Sequence, residues 1–345
     1  MLKMHAQCDH SDERHLTVCR LFAMSAGREP TSATYWLLDA PDSLTRQSHR
    51  EPDGAGLGWF DERGSARISK QPIAAYADRQ FGREAREVSS RNFLAHVRFA
   101  STGGLSLRNT HPFEQHDRLF AHNGHVEELP ALEAHLGEDL RLVKGDTDSE
   151  RIFALITREV AARDGDVGAG IQAACAWVAA NLPVFAINFV LASADGLWIL
   201  RYPETHPLYL LERAPGLPLE HSSQLGSRVR SEQAANRRLA VAATEPMDAD
   251  TNWRMLSSGE LVHVTDTVQV QSWEILGGPP PGSSRSTISH RLRVPPSHAS
   301  RRPPGDDLSG PSRAATIHLI PQTSMVLPSL EVQGAAIEPC NRAPR

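Results

Sequence analysis

The sequence predicts an α+β fold, and three observations carry that prediction. Short apolar segments of β character recur through residues 19–276, two amphipathic helices run consecutively in the middle, and the composition changes abruptly near Gly277. Strand-like segments are Arg20–Met24, Leu57–Phe60, Phe93–Arg98, Leu119–His122, Phe185–Leu191, Leu197–Tyr202 and Val268–Ile275. The first helix is expected over Asp148–Ala162, with Ile152, Leu155, Ile156 and Val160 on one face. The second is expected over Asp166–Asn181, with Ile171, Ala174, Cys175 and Val178 inward. Asp164-Gly165 and Pro183 supply the stop signals. Many short strands around a few helices predict sheets layered with helices.

Beyond Gly277 the chain changes character. Half of its 24 prolines lie between Pro279 and Pro344, among serines and arginines with few aromatics. Such a tail, residues 277–345, buries too little apolar surface to offset its ordering entropy and is expected to be disordered.

Bulk properties exclude several classes. With 345 residues and 40% hydrophobic content, one large domain can bury a core. A net charge of −5 leaves no footprint for nucleic acid or an anionic membrane. The longest apolar run, Phe185 to Leu200, is broken by Asn188, Ser193 and Asp195 and reads as buried strands. The first 17 residues have no apolar core, so they are no secretory signal. Cys8, Cys19, Cys175 and Cys340 show no CxxC spacing. Neither a disulfide framework nor a metal site is expected, and a reducing cytoplasm is the default.

Cys19 opens an apolar run close to the start of the chain. That placement points to a nucleophile using its own α-amine as base. Four later segments bear on it. Pro52-Asp53-Gly54-Ala55-Gly56-Leu57-Gly58-Trp59 alone reads as a turn running into a strand, since no Lys and no helix follow as a phosphate loop requires. His96-Val97-Arg98-Phe99-Ala100-Ser101 is a strand ending in a cation, which is either a surface arginine or a fork for a carboxylate. Asn123-Gly124 is a turn signal, or an oxyanion hole made of the amide and the glycine N–H. Thr147-Asp148-Ser149-Glu150 is a helix N-cap, or a carboxylate for a substrate ammonium.

Taken in order, these segments resemble the class II glutamine amidotransferases of the N-terminal-nucleophile hydrolase superfamily. Asn109-Thr110-His111-Pro112-Phe113, Glu245-Pro246-Met247-Asp248 and Trp253 extend the resemblance across Cys19 to Ile275. It is strongest toward the short, free-standing branch that includes the γ-glutamyl amidohydrolase of ergothioneine biosynthesis. The resemblance implies a four-layer αββα sandwich, with Cys19 opening the first strand at the mouth of the cleft between two antiparallel sheets. It implies that Cys19 attacks a γ-carbonyl, with an α-amine of reference pKa about 7.7–8.0 as base. It assigns Asn123 and Gly124 to the oxyanion, Arg98 to the α-carboxylate and Asp148 to the α-ammonium. Phe99 and Ser101 are placed on the substrate, and no cofactor is required. A rival Cys-His scheme has His96, His111 and His122 as available bases, although His111 and His122 read better as orienting loops.

Residues 1–18 depart from the family pattern, because an amide-bonded Cys19 nitrogen has no useful basicity. The favoured expectation is initiation at Val18, as from a GTG codon, followed by removal of methionine. Cleavage of a propeptide and an inactive extended form are the alternatives. The expected reaction is hydrolysis of a γ-glutamyl amide or glutamine. A glutaminase subunit serving a separate synthase is the second expectation, and a non-catalytic module binding a γ-glutamyl ligand the third. Specificity for the departing amine is expected in Arg46–Pro52, Leu105–Asn109 and His221–Arg230.

Overall fold

The computed structural model describes residues 19–100, 103–216, 219–222, 228–230 and 236–280. The expectations placed on residues 1–18, on Ser101 and on the tail beyond residue 280 lie outside the described residues.

The chain runs through β1 (Arg20–Ser25), a π-helical turn (Tyr35–Asp39), α1 (Leu44–Gln47), β2 (Ala55–Phe60), β3 (Ala66–Gln71), α2 (Arg79–Glu87) and β4 (Asn92–Val97). A 3-10 turn (Leu107–Asn109), β5 (Phe113–Gln115), β6 (Arg118–Val126) and α3 (Leu129–Leu136) follow. After a second 3-10 turn (Gly137–Leu142) come α4 (Asp148–Ala161), α5 (Val167–Asn181), β7 (Val184–Ser193), β8 (Gly196–Arg201) and β9 (Tyr209–Arg213). The last elements are β10 (Glu220–Ser222), β11 (Arg228–Arg230), β12 (Leu239–Ala243), β13 (Arg254–Met255), β14 (Glu260–Val264) and β15 (Val270–Glu274).

Two antiparallel sheets dominate. One has the order β13-β9-β12-β1-β4-β2-β3 and the other β15-β14-β8-β7-β6-β5, while β10 and β11 form a separate ribbon. Side-chain alternation sorts the residues of each strand into layers. Leu21 and Ala23 of β1, Leu94 of β4, Leu119 and Ala121 of β6, and Val190 and Ala192 of β7 fill the space between the sheets. Phe22, Met24 and Phe93 face outward onto Trp36, Leu37, Leu44 and Phe81. On the opposite side, Phe120 and Phe189 face Phe153, Ile156, Ile171 and Val178 of the helices. The result is the expected αββα sandwich. Phe120 stacks on Phe153 with ring centroids 4.9 Å apart, and full burial of each such ring contributes about 1.5–3 kcal/mol.

The two central helices form as the sequence predicts. Thr147 Oγ1 caps α4 by accepting the Glu150 N–H at 3.3 Å, and Asp166 caps α5 by accepting the Ala169 N–H at 2.9 Å. Between them Asp164 and Gly165 turn the chain at φ 54° and 90°. Gly170 lets α5 close on α4, since a Cβ there would stand 2.4 Å from Val160 Cγ2.

One local turn reading is corrected. Asn123-Gly124 lies inside β6 and pairs with Asn188 and Ile187 of β7. The glycine is there for close approach, because a Cβ would fall 2.0 Å from the Ala186 carbonyl oxygen. The turn preceding this strand is His116-Asp117, both at positive φ, closing the β5–β6 hairpin. Gly54, Gly56 and Gly58 follow the bend at Asp53 into and along β2, as the sequence predicts, so they share one face. Added Cβ atoms would meet Thr110 Oγ1 at 3.2 Å, His111 O at 2.1 Å and Leu119 Cδ1 at 2.7 Å. The triple-glycine motif is the bed on which Thr110-His111-Pro112 lies.

Candidate active site

Cys19 directly precedes β1 and shares the alternation of Leu21 and Ala23, which face the other sheet. Asn123 has the same relation to Leu119 and Ala121 on β6, and Arg98 to Leu94 on β4. Strand parity therefore turns all three toward the gap between the sheets. The backbone of Phe99 engages the Cys19 sulfur twice: its N–H donates to Sγ at 3.3 Å, and Sγ donates to its carbonyl at 3.4 Å.

Electrostatics keep this thiol protonated. Burial pushes the Cys19 pKa up to about 11, against the opposing pull of the Phe99 N–H and Arg98, while Glu51 and Asp148 push it further up. Such a sulfur needs a base at hand to become a nucleophile. No hydrogen bond joins it to an imidazole among the described residues, which removes the support for a Cys-His pair. His122 instead holds the Ser149 hydroxyl through Nδ1 at 2.9 Å and the Ala186 carbonyl through Nε2 at 3.2 Å. The His96 and His111 rings lie against each other at a tilt of 34°, with centroids 4.2 Å apart. Burial drives the His96 pKa down to about 3 and that of His111 well below its usual value. The His122 backbone approaches the His96 ring without meeting hydrogen-bond geometry.

Arg98 is buried at the end of β4. Its main chain is clamped to the segment leading into β2: the Arg98 N–H donates to Gly54 O at 2.7 Å, and the Asp53 N–H donates to Arg98 O at 3.1 Å. Its guanidinium donates to the Gly103 and Gly104 carbonyls, both at 3.2 Å. Asp148, at the start of α4, is also buried. Burial alone raises its pKa, but the His125 ring 3.6 Å away, the charge of His122 and the Val126 N–H at 3.0 Å outweigh that and hold it below the usual range. Both charges are felt at the Cys19 sulfur.

Asn123 is 2% exposed, and its Nδ2 has no hydrogen-bond partner among the described residues. Buried amide donors are nearly always satisfied, so this one is available to a ligand oxygen. A protonated thiol, an unpaired amide donor, a cation and an anion together complement a zwitterion that carries a reactive carbonyl.

The structure adds residues that the sequence did not single out one by one. Asn109 donates to Gly104 O at 3.1 Å and to Asp146 Oδ2 at 3.3 Å, and accepts the Asp146 N–H at 2.8 Å. It thus ties the loop under Arg98 to the loop before Asp148. Lys70 Nζ donates to Thr110 O at 2.6 Å and to Pro112 O at 3.1 Å, holding the same segment from β3. Burial lowers its pKa to about 8. The phrase around Asn109 was a signal in the sequence, whereas nothing marked Lys70. Arg20 joins the first and last motifs through Glu245, at 2.8 Å.

The family model for class II glutamine amidotransferases matches residues 18–275. The chain belongs to the class II glutamine amidotransferases. Among curated members, a Haemophilus influenzae protein with a glutamine amidotransferase name is 24% identical, over 69% of this chain and 81% of its own. The gamma-glutamyl-hercynylcysteine sulfoxide hydrolase of Mycolicibacterium smegmatis is 27% identical, over 69% of this chain and 92% of its own. Among solved structures, the glutamine phosphoribosylpyrophosphate amidotransferase of B. subtilis superposes with a TM-score of 0.53 at 19% identity. That match covers 76% of this amidotransferase-family chain and 50% of the B. subtilis chain, and it shows a shared fold.

Proposed function

We propose that this protein hydrolyses a γ-glutamyl amide through Cys19, acting as an N-terminal nucleophile. The observation that carries the proposal is the buried, unpartnered Asn123 Nδ2 on β6 of the opposite sheet, together with the Arg98 and Asp148 charges felt at the Cys19 sulfur. The sulfur attacks the γ-carbonyl carbon while the free α-amine of Cys19 takes the thiol proton. Asn123 Nδ2 and the Gly124 N–H receive the oxyanion. The ammonium then gives its proton to the departing amine, leaving a thioester. Water, deprotonated by the same amine, adds to the thioester, and glutamate leaves as the thiol is restored. Arg98 pairs with the substrate α-carboxylate and Asp148 with its α-ammonium. Phe99 acts through its backbone and Ser101 through its hydroxyl.

Hydrolysis without a synthase partner is preferred because of the likeness to the M. smegmatis hydrolase, which spans nearly all of that protein. In a second reading of the same site, glutamine is hydrolysed and its ammonia passes to a separate synthase subunit. Protein beginning at Cys19 should turn over glutamine or a γ-glutamyl amide, and the same protein with residues 1–18 attached should not. If neither substrate class is turned over by the Cys19-first protein, the proposal is wrong.

A further inference from the structure

Glu51 is 0% exposed, and neither of its carboxyl oxygens accepts a hydrogen bond from a described residue. Arg20 Nη1 stands 3.5 Å from Oε1, an ion-pair distance, while Arg20 Nε is spent on Glu245. A buried carboxylate without hydrogen bonds is costly, so its retention points to a donor it serves.

The sheet register says where Glu51 stands. Across β4, Val97 faces Arg20 of β1 on one side and Ala55 of β2 on the other. The segment leading into β2, which contains Glu51, therefore comes up beside the N-terminal end of β1. The Glu51 charge is felt at the Cys19 sulfur itself.

Resting on the reading above, we propose that Glu51 seats the α-ammonium group of processed Cys19, as a positioning residue for the nucleophile's own base. The ammonium supplies the N–H donors that the carboxyl oxygens lack, and the ion pair fixes the amine beside its own sulfur. The other charges facing Glu51 are Arg20 on β1, Arg50 and Asp42 from the preceding segment, and Glu245 after β12. Those facing Cys19 besides Glu51 are Arg98 and Asp148. Burial raises the Glu51 pKa to about 7 while the Cys19 nitrogen is an amide. An ammonium at that nitrogen lowers it, and the carboxylate raises the ammonium in return.

The test is the pH dependence of kcat/KM for glutamine hydrolysis by Cys19-first protein. Glu51→Gln removes the counter-charge, so the acidic limb should move down by about 1 pH unit. Glu51→Asp should keep the limb of the parent. Superimposable profiles for the parent and the Gln variant overturn the proposal. A measurement free of activity and of variant folding is the 13C titration of the Glu51 carboxyl in protein with and without residues 1–18. The proposal expects the lower pKa in the Cys19-first form, and equal values overturn it. An inactive parent refutes the hydrolase reading alone, since the carboxyl titration still decides the seat of the amine.

Discussion

Asn109 and Asp146 exchange two hydrogen bonds: the Asp146 N–H donates to Asn109 Oδ1 at 2.8 Å, and Asn109 Nδ2 donates to Asp146 Oδ2 at 3.3 Å. Asn109 also holds Gly104 O, which Arg98 Nη1 shares. The two opposite charges of the candidate site are therefore set relative to one another through a single amide. Asn109→Ala should raise KM about tenfold and leave kcat within about threefold, since it removes three hydrogen bonds worth roughly 0.5–1.5 kcal/mol each, only part of which is felt by the substrate. Steady-state kinetics on glutamine separate the two parameters, and an unchanged KM contradicts the coupling.

Asn123 Nδ2 makes no hydrogen bond to a described residue, so its removal breaks none of the described fold's hydrogen bonds. Asn123→Ala should lower kcat by about 10²–10³, the usual cost of losing an oxyanion donor. Nearly the same denaturant midpoint as the parent is expected alongside. A variant that loses stability but keeps kcat argues that the amide is structural.

The buried pair His96 and His111 predicts sensitivity to acid. In the unfolded chain each histidine takes a proton near pH 6.5, while folded His96 resists until about pH 3. The unfolded state thus binds more protons in that window, and stability falls as pH drops from about 6.5 toward 3. The slope contributed by each histidine approaches about 1.4 kcal/mol per pH unit and vanishes above the unfolded value. Urea midpoints measured across this range should show a flatter slope in His96→Phe. An identical slope rules out His96 as the source.

Much of this was written in the alternation of the strands. Leu119 and Ala121 against Phe120 are enough to place β6, and the Thr147 and Asp166 caps with their apolar faces are enough for α4 and α5. The motif phrases named Cys19, Arg98, Asn123 and Asp148 before any geometry. Short or polar elements escaped. The strand β3, Ala66–Gln71, is partly exposed throughout and carries Arg67, Ser69 and Lys70, so no apolar pattern marks it. The hairpin of β5 and β6 turns on His116-Asp117, which is weaker punctuation than the Asn-Gly a few residues later. That Asn-Gly is extended because tertiary packing against Ala186 decides its conformation. Lys70 and Glu51 act on partners distant in sequence, and no local pattern encodes such pairings.

The glycines of β2 give a test of packing. Gly56→Ala should be severely destabilising, because its Cβ would overlap the His111 carbonyl oxygen, a backbone atom with no rotamer to yield. Gly104 provides the control: an added Cβ there would meet nothing within 4 Å, and Gly104→Ala should stay within about 1 kcal/mol. Equal midpoints for the two variants contradict the account of the glycine bed.

Protein isolated from its native host, incubated with a γ-glutamyl electrophile and analysed by intact mass and peptide mapping, tests the role of Cys19 most directly. The predicted result is a chain whose first residue is Cys19, with one adduct on its sulfur and loss of turnover in step with labelling. An active chain that retains Met1, or one inactivated without modification of Cys19, contradicts it.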